Sequence, residues 1–360
     1  MRIAVCGGGL FGCTAAIHLA RAGHEVHLYE RTPSLMQAAS SVNQLRLHRG
    51  YHYPRSPETG RECRAGNASF FAEYRDAVIT PERRKHGGQY YAIAKEGSRT
   101  TSAEFLSFCE REQLPYRKSE ASLVNRESVE LLVEVMESSI DPVALRHSVI
   151  AKLIGSGVLV HLGVAAYRGM RDEFDRIIIA AYADSNEVSS QLSAPTQHFQ
   201  FEVVEKPVFK LPGYFKDTSI VVMDGPFFSL DPYGTTDLHL MGHVEHAIHA
   251  TNTGFDPIVP DEIKGDLNRG IVANPKRSRA GLFQREAARF VPAMKDAEYA
   301  GSMFTVRAVL PGRDATDERP TLVSMLEGQV IRIFSGKLGT AVEAAKQVVE
   351  MIGGEKRAAA

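Results

Sequence analysis

Val5-Cys6-Gly7-Gly8-Gly9-Leu10-Phe11-Gly12 closes an apolar run that begins at Ile3 and opens a segment with Ala15, Ala16, Leu19 and Ala20 at helical spacing. A short apolar run suits a buried parallel strand, and Gly23 is placed to end the helix. Gly7, Gly9 and Gly12 form GxGxxG at the strand-to-helix junction. Gly7 makes the tight turn, Gly9 lets backbone approach a pyrophosphate, and Gly12 lets the helix pack close to the strand. The helix start offers unbonded N–H groups and the positive end of its dipole. Val26 to Tyr29 reads as the next strand, ending at Glu30, with seventeen residues between Gly12 and Glu30. A carboxylate there can accept hydrogen bonds from a ribose diol. The competing reading is a glycine turn that only packs a helix on a strand. Glu30 by itself does not choose between NAD and FAD.

Outward from this point, the signals of a parallel sheet recur at 158–162 and 175–180, and again at the C-terminal end (330–334). The stretch between them is mixed and rich in strands, chiefly 89–94, 129–136 and 197–245. Asp141-Pro142 reads as an N-cap with proline in the first turn of a helix that runs to about Ile154. Further helices are expected over 102–112, 280–295 and 340–352. Ser40 to Arg64, dense in His, Tyr, Arg and Gly, reads as a functional loop that enters a helix. The expected organisation is a discontinuous nucleotide-binding domain (1–75, 140–190 and 300–355) with a second domain inserted in it (76–139 and 191–299), and a frayed end that begins near Gly353 and leaves 356–360 outside both.

The chain has 360 residues, enough for about two cores. With 42 basic and 43 acidic residues the formal net charge is −1, which provides no general field for nucleic acid or an anionic membrane. No stretch is apolar and long enough to span a bilayer. The start runs directly into glycines, with no signal-peptide core. The four cysteines, Cys6, Cys13, Cys63 and Cys109, form no CxxC pair. They read as reduced, structural thiols, which fits a cytoplasmic location.

Three blocks resemble the D-amino-acid-oxidase-like FAD-dependent oxidoreductases. The first is the glycine turn through Glu30-Arg31. The second is Ser40-Ser41-Val42-Asn43-Gln44-Leu45-Arg46-Leu47-His48-Arg49-Gly50-Tyr51-His52-Tyr53, similar to a segment of the FAD-dependent glycerol-3-phosphate and L-2-hydroxyglutarate dehydrogenases. The third is Phe334-Ser335-Gly336-Lys337-Leu338-Gly339-Thr340, similar to the Gly-Gly-Lys-Leu-Thr-Thr turn of the glycerol-3-phosphate enzymes. Val306 to Pro311 is similar to the Gly-x-Arg-Pro stretch, and Asp224 to Phe227 with Asp231-Pro232 is a further match. The resemblance implies an α/β fold: a Rossmann-type FAD-binding domain carrying an inserted α+β substrate domain on a mixed, largely antiparallel sheet. It implies one non-covalent FAD, with contacts from Gly7, Gly9, Leu10, Phe11, Gly12, Glu30, Arg31, Ser40, Ser41, Asn43, Val164, Gly336, Lys337, Leu338, Gly339 and Thr340.

It also implies a reaction class: hydride transfer from a CH–OH or CH–NH carbon of a small polar, anionic substrate to flavin N5, with oxygen or a quinone as electron acceptor. An amino-acid or amine oxidase proper is the alternative within enzymes, and a non-catalytic FAD-binding scaffold is the alternative outside them. His48 is the candidate base, since an imidazole titrates near neutral pH; the plain alternative is a loop histidine bonded only to backbone. His52 and Tyr53 are candidate substrate contacts. Arg307 is the candidate for the substrate anion, against an ordinary interface salt bridge, and Arg319 is a further basic candidate. Lys337, at a helix start, is the candidate charge near the flavin. The chain departs from the pattern at Ala180-Ala181-Tyr182, where the family ends a strand in Ala-Thr-Gly. It departs again at His52, where the glycerol-3-phosphate enzymes carry a phosphate-binding arginine, and at Ala308, where a proline is usual. Those enzymes' extra C-terminal helical domain has no counterpart. These departures argue against glycerol 3-phosphate as substrate. His243, His246 and His249 are spaced by three, but in a strand-like stretch that spacing alternates faces, so no metal site is expected.

Overall fold

The computed structural model describes residues 1–312 and 319–358. Its first layer is a six-stranded sheet in the order Leu322–Glu327, Val330–Phe334, Arg176–Ile179, Arg2–Cys6, Glu25–Glu30, Leu159–Leu162. The strands are parallel except Leu322–Glu327, which returns antiparallel beside Val330–Phe334. Ile3, Ala4 and Val5 in the central strand are fully buried, as a strand covered on both faces requires. On one face lie the helices Leu10–Arg21 and Ala341–Ala358. Ala15, Ala16, Ala341, Ala344 and Ala345 share one core there, and such small side chains let helices approach closely. Gly23 adopts φ 84° just past the first helix, the conformation that ends it.

The second layer is a nine-stranded sheet built on the long strand Phe199–Lys210, which pairs with Ile248–Gly254, Leu238–His243 and Glu298–Val309. It continues through Phe228–Pro232, Ser219–Met223, Gln89–Ala94 and Val129–Val135 to Tyr116–Lys118. Every pairing is antiparallel except that of Ser219–Met223 with Gln89–Ala94. The fold is thus α/β with an inserted mixed, largely antiparallel sheet. A small sheet of Arg46–Leu47, Ser138–Ile140 and Val78–Ile79 stitches the loop after residue 40 to the second layer.

Two expectations are corrected. The helix expected over 280–295 breaks: an α-helix covers Ala280–Ala288 and a short 3-10 turn Pro292–Asp296. Pro292 has no N–H to continue the ladder and holds Val291 extended. The frayed end expected from Gly353 is helical as far as Ala358. Gly353 and Gly354 cost about 0.5–1 kcal/mol each relative to alanine, yet the helix continues past both. No helix among the described residues is long and apolar enough to cross a membrane.

Candidate functional site

The strand order reverses at Arg2–Cys6: the chain passes from it to Glu25–Glu30 on one side, while Arg176–Ile179 lies on the other. Ligands of open parallel sheets bind at such a reversal, beyond the carboxyl ends of the strands. A cavity of about 1170 Å³ opens there and extends under the second sheet. Its near end is the glycine turn. Gly7 takes φ 117°, and a Cβ there would stand 2.5 Å from the Ala180 carbonyl oxygen. A Cβ on Gly12 would stand 1.9 Å from the Gly7 carbonyl oxygen. No side chain caps the helix at Gly9; the Leu10 N–H is met by Ser40 Oγ at 2.9 Å. Glu30 accepts from the Gly8 N–H at 2.7 Å and from the N–H and hydroxyl of Thr32, both at 2.8 Å. These bonds fix the carboxylate beside the turn and leave one lone-pair direction for a ligand.

Gly7, Gly9, Leu10, Phe11, Glu30, Arg31, Ser40, Asn43, Val164, Gly336, Lys337 and Leu338 all line this cavity. Four of the expected cofactor contacts stand behind the wall instead. Gly12 packs beneath Gly7. Ser41 turns its hydroxyl to the Gln37 and Ala38 carbonyls. Gly339 lies against Gly66, whose Cβ would come within 2.8 Å of the Gly339 carbonyl oxygen. Thr340 bonds the Lys337 carbonyl at 2.7 Å. They shape the turns that carry the lining residues. Arg31 is held by Asp184 and Glu187 at 2.7 and 2.8 Å. Tyr182, where the family has glycine, keeps a positive φ of 52°, the backbone conformation glycine would adopt most easily.

Gly12→Val is expected to remove dinucleotide binding altogether, because the clash is with backbone that cannot rotate away. The check is cofactor content of the purified variant, with circular dichroism to show that the sheet still forms.

His48, His52, Tyr53, Arg307, Arg319 and Lys337 line the same cavity. The His52 ring centroid is 5.7 Å from that of His48 and 5.3 Å from that of Tyr53. The Lys337 ammonium donates to the Tyr53 hydroxyl and sits 4.0 Å from its ring centroid, so the C-terminal turn is tied to the loop after residue 40. Arg55 forms an ion pair with Asp224 at 2.5 Å, which ties that loop to the inserted sheet. Arg307 bonds Glu202 directly across the sheet. Burial and the charge of Arg319 lower its pKa, and Glu202 opposes them.

Sequence reasoning missed the group behind His48. The carboxylate of Glu137 is fully buried, and its Oε1 lies 3.7 Å from His48 Nδ1. It accepts from Arg46 at 3.1 Å, from the Tyr91 hydroxyl at 3.0 Å and from the Arg49 N–H at 2.8 Å. Burial alone would raise its pKa. The facing His48, the Arg46 charge and the Arg49 N–H outweigh that and hold it at about 2. Arg46 also reaches Asp231 at 2.6 Å and Ser219, and its guanidinium lies 5.3 Å from the Tyr91 ring centroid. The available signals were a glutamate ending an apolar strand and a loop arginine between two leucines. Burial pushes Cys63 up to about 11 and Cys6 to about 12, so neither is a nucleophile at neutral pH.

The histidines spaced by three do not converge. His243 and His246 stack at 4.1 Å between centroids, while His249 bonds the buried Glu205 at 2.7 Å. Among the described residues no cluster of metal-ligating groups is assembled.

The cavity, the glycine cradle, the uncapped helix and the carboxylate fixed beside the turn suit a long dinucleotide. The family described as FAD dependent oxidoreductase matches residues 2–323. The chain is 27% identical to the FAD-dependent monooxygenase kojA of Aspergillus flavus, over 98% of this chain and 86% of that one. Its fold is similar to that of glycine oxidase from Geobacillus kaustophilus (TM-score 0.67, 15% identity, 98% and 95% of the two chains covered). It is also similar to that of L-alpha-glycerophosphate oxidase from Mycoplasma pneumoniae with FAD bound (TM-score 0.71, 14% identity, 98% and 94% covered). The chain therefore belongs to the FAD-dependent oxidoreductase family, and FAD is its cofactor.

Proposed function

We propose that the enzyme takes a hydride from a CH–OH or CH–NH carbon of a small polar, anionic substrate. The observation that carries this reading is that His48, His52, Tyr53, Arg307 and Lys337, drawn from both ends of the chain, line one cavity with the dinucleotide turn. When bound, FAD supplies the two-electron acceptor. The protein's part is to align the donor carbon and to move a proton. His48 takes the proton from the substrate hydroxyl or amine, and Glu137, ionised behind it, orients the ring and balances the imidazolium that forms. His52 and Tyr53 contact the substrate. Lys337 would place positive charge in the same cavity as bound FAD and would there stabilise negative charge gained on reduction. Arg307, with Glu202 as a fixed counter-ion, contributes hydrogen-bond donors more than net charge. The proposed domains are 1–75, 140–190 and 300–355 for the cofactor and 76–139 with 191–299 for the substrate, with the strand Glu298–Val309 crossing that boundary to pair within the second sheet.

The test is anaerobic bleaching of the flavin by a panel of hydroxy and amino acids. A bleaching substrate is expected, and a protein whose flavin no member reduces would contradict the reading. Acid precipitation is expected to release yellow FAD into the supernatant; colour retained in the pellet would mean a covalent bond. Arg307→Ala is expected to raise KM roughly ten- to a hundredfold, since a lost hydrogen bond to a charged group costs about 1.5–3 kcal/mol. The monooxygenase name carried by the relative from Aspergillus flavus favours a second reading, oxygen insertion. Labelled dioxygen appearing in the product would select it.

A further inference from the structure

Lys206 stands on the long strand Phe199–Lys210, where Glu202, Val204 and Lys206 alternate along one side and line the cavity. Glu202 is occupied by Arg307. The Lys206 ammonium reaches toward Ser229 and Gly242: a Cβ on Gly242 would lie 3.1 Å from Lys206 Nζ and equally 3.1 Å from Ser229 Oγ. Gly242 thus leaves the space that the ammonium occupies. Gln44 donates to Ser229 Oγ at 3.2 Å and completes a small polar wall that faces the cavity.

The charges around the amine pull both ways, and none of those described forms an ion pair with it. On Phe228–Pro232, Asp231 attracts it; Asp231 Oδ1 is taken by Arg46 and Ser219, and Oδ2 makes no hydrogen bond to the amine. On Glu298–Val309, Arg307 repels it. On Leu238–His243, burial drives His239 and His243 down to about 4, so both are neutral near pH 7. Glu205, next in the chain, is spent on His249, Ser278 and Ser302. No carboxylate among the described residues forms an ion pair with Lys206. Burial, aided by the Arg307 charge and opposed by Asp231, lowers the amine to about 8. An ammonium in a concave wall without a counter-ion is stabilised by an incoming anion, and the anion by it.

We propose that Lys206 is the substrate-binding cation of this enzyme, holding an anionic oxygen of the substrate, a carboxylate or an enolate, against the wall formed by Gln44, Ser229 and Gly242. This rests on the reading of the cavity as the site of a small anionic substrate. It assigns the anion to the inserted sheet and leaves Arg307, already paired, as a secondary contact.

Acetate serves as the probe and neutral acetamide as its control. In the FAD-loaded protein, acetate binding is followed by perturbation of the flavin spectrum, and labelling of Lys206 by brief reductive methylation is read by peptide mass spectrometry. Acetate is expected to bind with an affinity that falls as pH rises through about 8, and to protect Lys206 from methylation. Lys206→Met is expected to raise the acetate Kd roughly ten- to a hundredfold and abolish that pH dependence. Lys206→Arg is expected to keep the binding and move the inflection out of range. Acetamide binding stays unchanged in both. Absence of acetate binding, equal methylation with and without acetate, or a wild-type Kd in Lys206→Met would each overturn the assignment. The labelling arm uses unmutated protein, so it decides even if a variant misfolds. Flavin bleaching by the hydroxy and amino acid panel is scored separately: bleaching without acetate protection rejects Lys206 and leaves the oxidoreductase reading standing.

Discussion

Arg46→Met is expected to destabilise the fold by about 3–5 kcal/mol, because it strands two buried acids at once. Glu137 is wholly buried and Asp231 is 3% exposed, and the Arg46 guanidinium bonds both. Removing one member of such a cluster leaves uncompensated charge in a poor solvent for it. Replacing all three, as Arg46→Met with Glu137→Leu and Asp231→Leu, is expected to recover most of the loss, since an apolar isostere has no charge to desolvate. The measurement is the urea midpoint of each variant at constant slope; a single variant within about 0.5 kcal/mol of wild type would show that the cluster is not under that constraint. The same cluster has a sign in pH. Glu137 is held at about 2, below its ordinary 4.5, so its contribution to stability is present above about pH 4.5 and is lost as pH falls from there toward 2. Glu137→Gln should flatten that part of the acid-stability curve.

His48→Ala is expected to lower kcat by about 10²–10⁴ while FAD content stays at the wild-type level. The ring lines the cavity but is not part of the glycine turn, so its loss is expected to act on the reacting proton and not on the nucleotide. The pH profile should move with it: the limb belonging to the base is expected to disappear. Glu137→Gln should instead keep the imidazole but weaken its orientation, giving a smaller fall in kcat with little change in KM. Unchanged turnover in His48→Ala would remove it from the chemistry. Equal losses of turnover and flavin would make it a cofactor contact.

The dinucleotide turn could be read from the chain because everything it needs is contiguous. A strand, the three motif glycines Gly7, Gly9 and Gly12 and a helix occupy residues 2–21, and steric limits on φ and on Cβ placement act over a few residues. Glu30 could be placed because its strand follows at once. The return of residues 330–340 to the same site was legible through a second glycine turn, and His48, His52 and Tyr53 through the density of polar side chains in one loop. The broken helix at 280–295 was misjudged because apolar spacing on both sides of Pro292 outweighed the missing N–H.

What sequence alone determined was therefore the cofactor-binding architecture: local backbone demands, expressed at fixed spacing, admit few folds. What only the tertiary structure decided was the electrostatics of the site. Glu137 stands 91 positions from Arg46, and Asp231 stands 185. Arg307 meets Glu202 only through the register of two long strands. Lys206 finds room for its ammonium only because Gly242, on another strand, has no side chain there. The chemistry of a charged side chain depends on which charges and how much water surround it, and sheet register, not spacing along the chain, sets both.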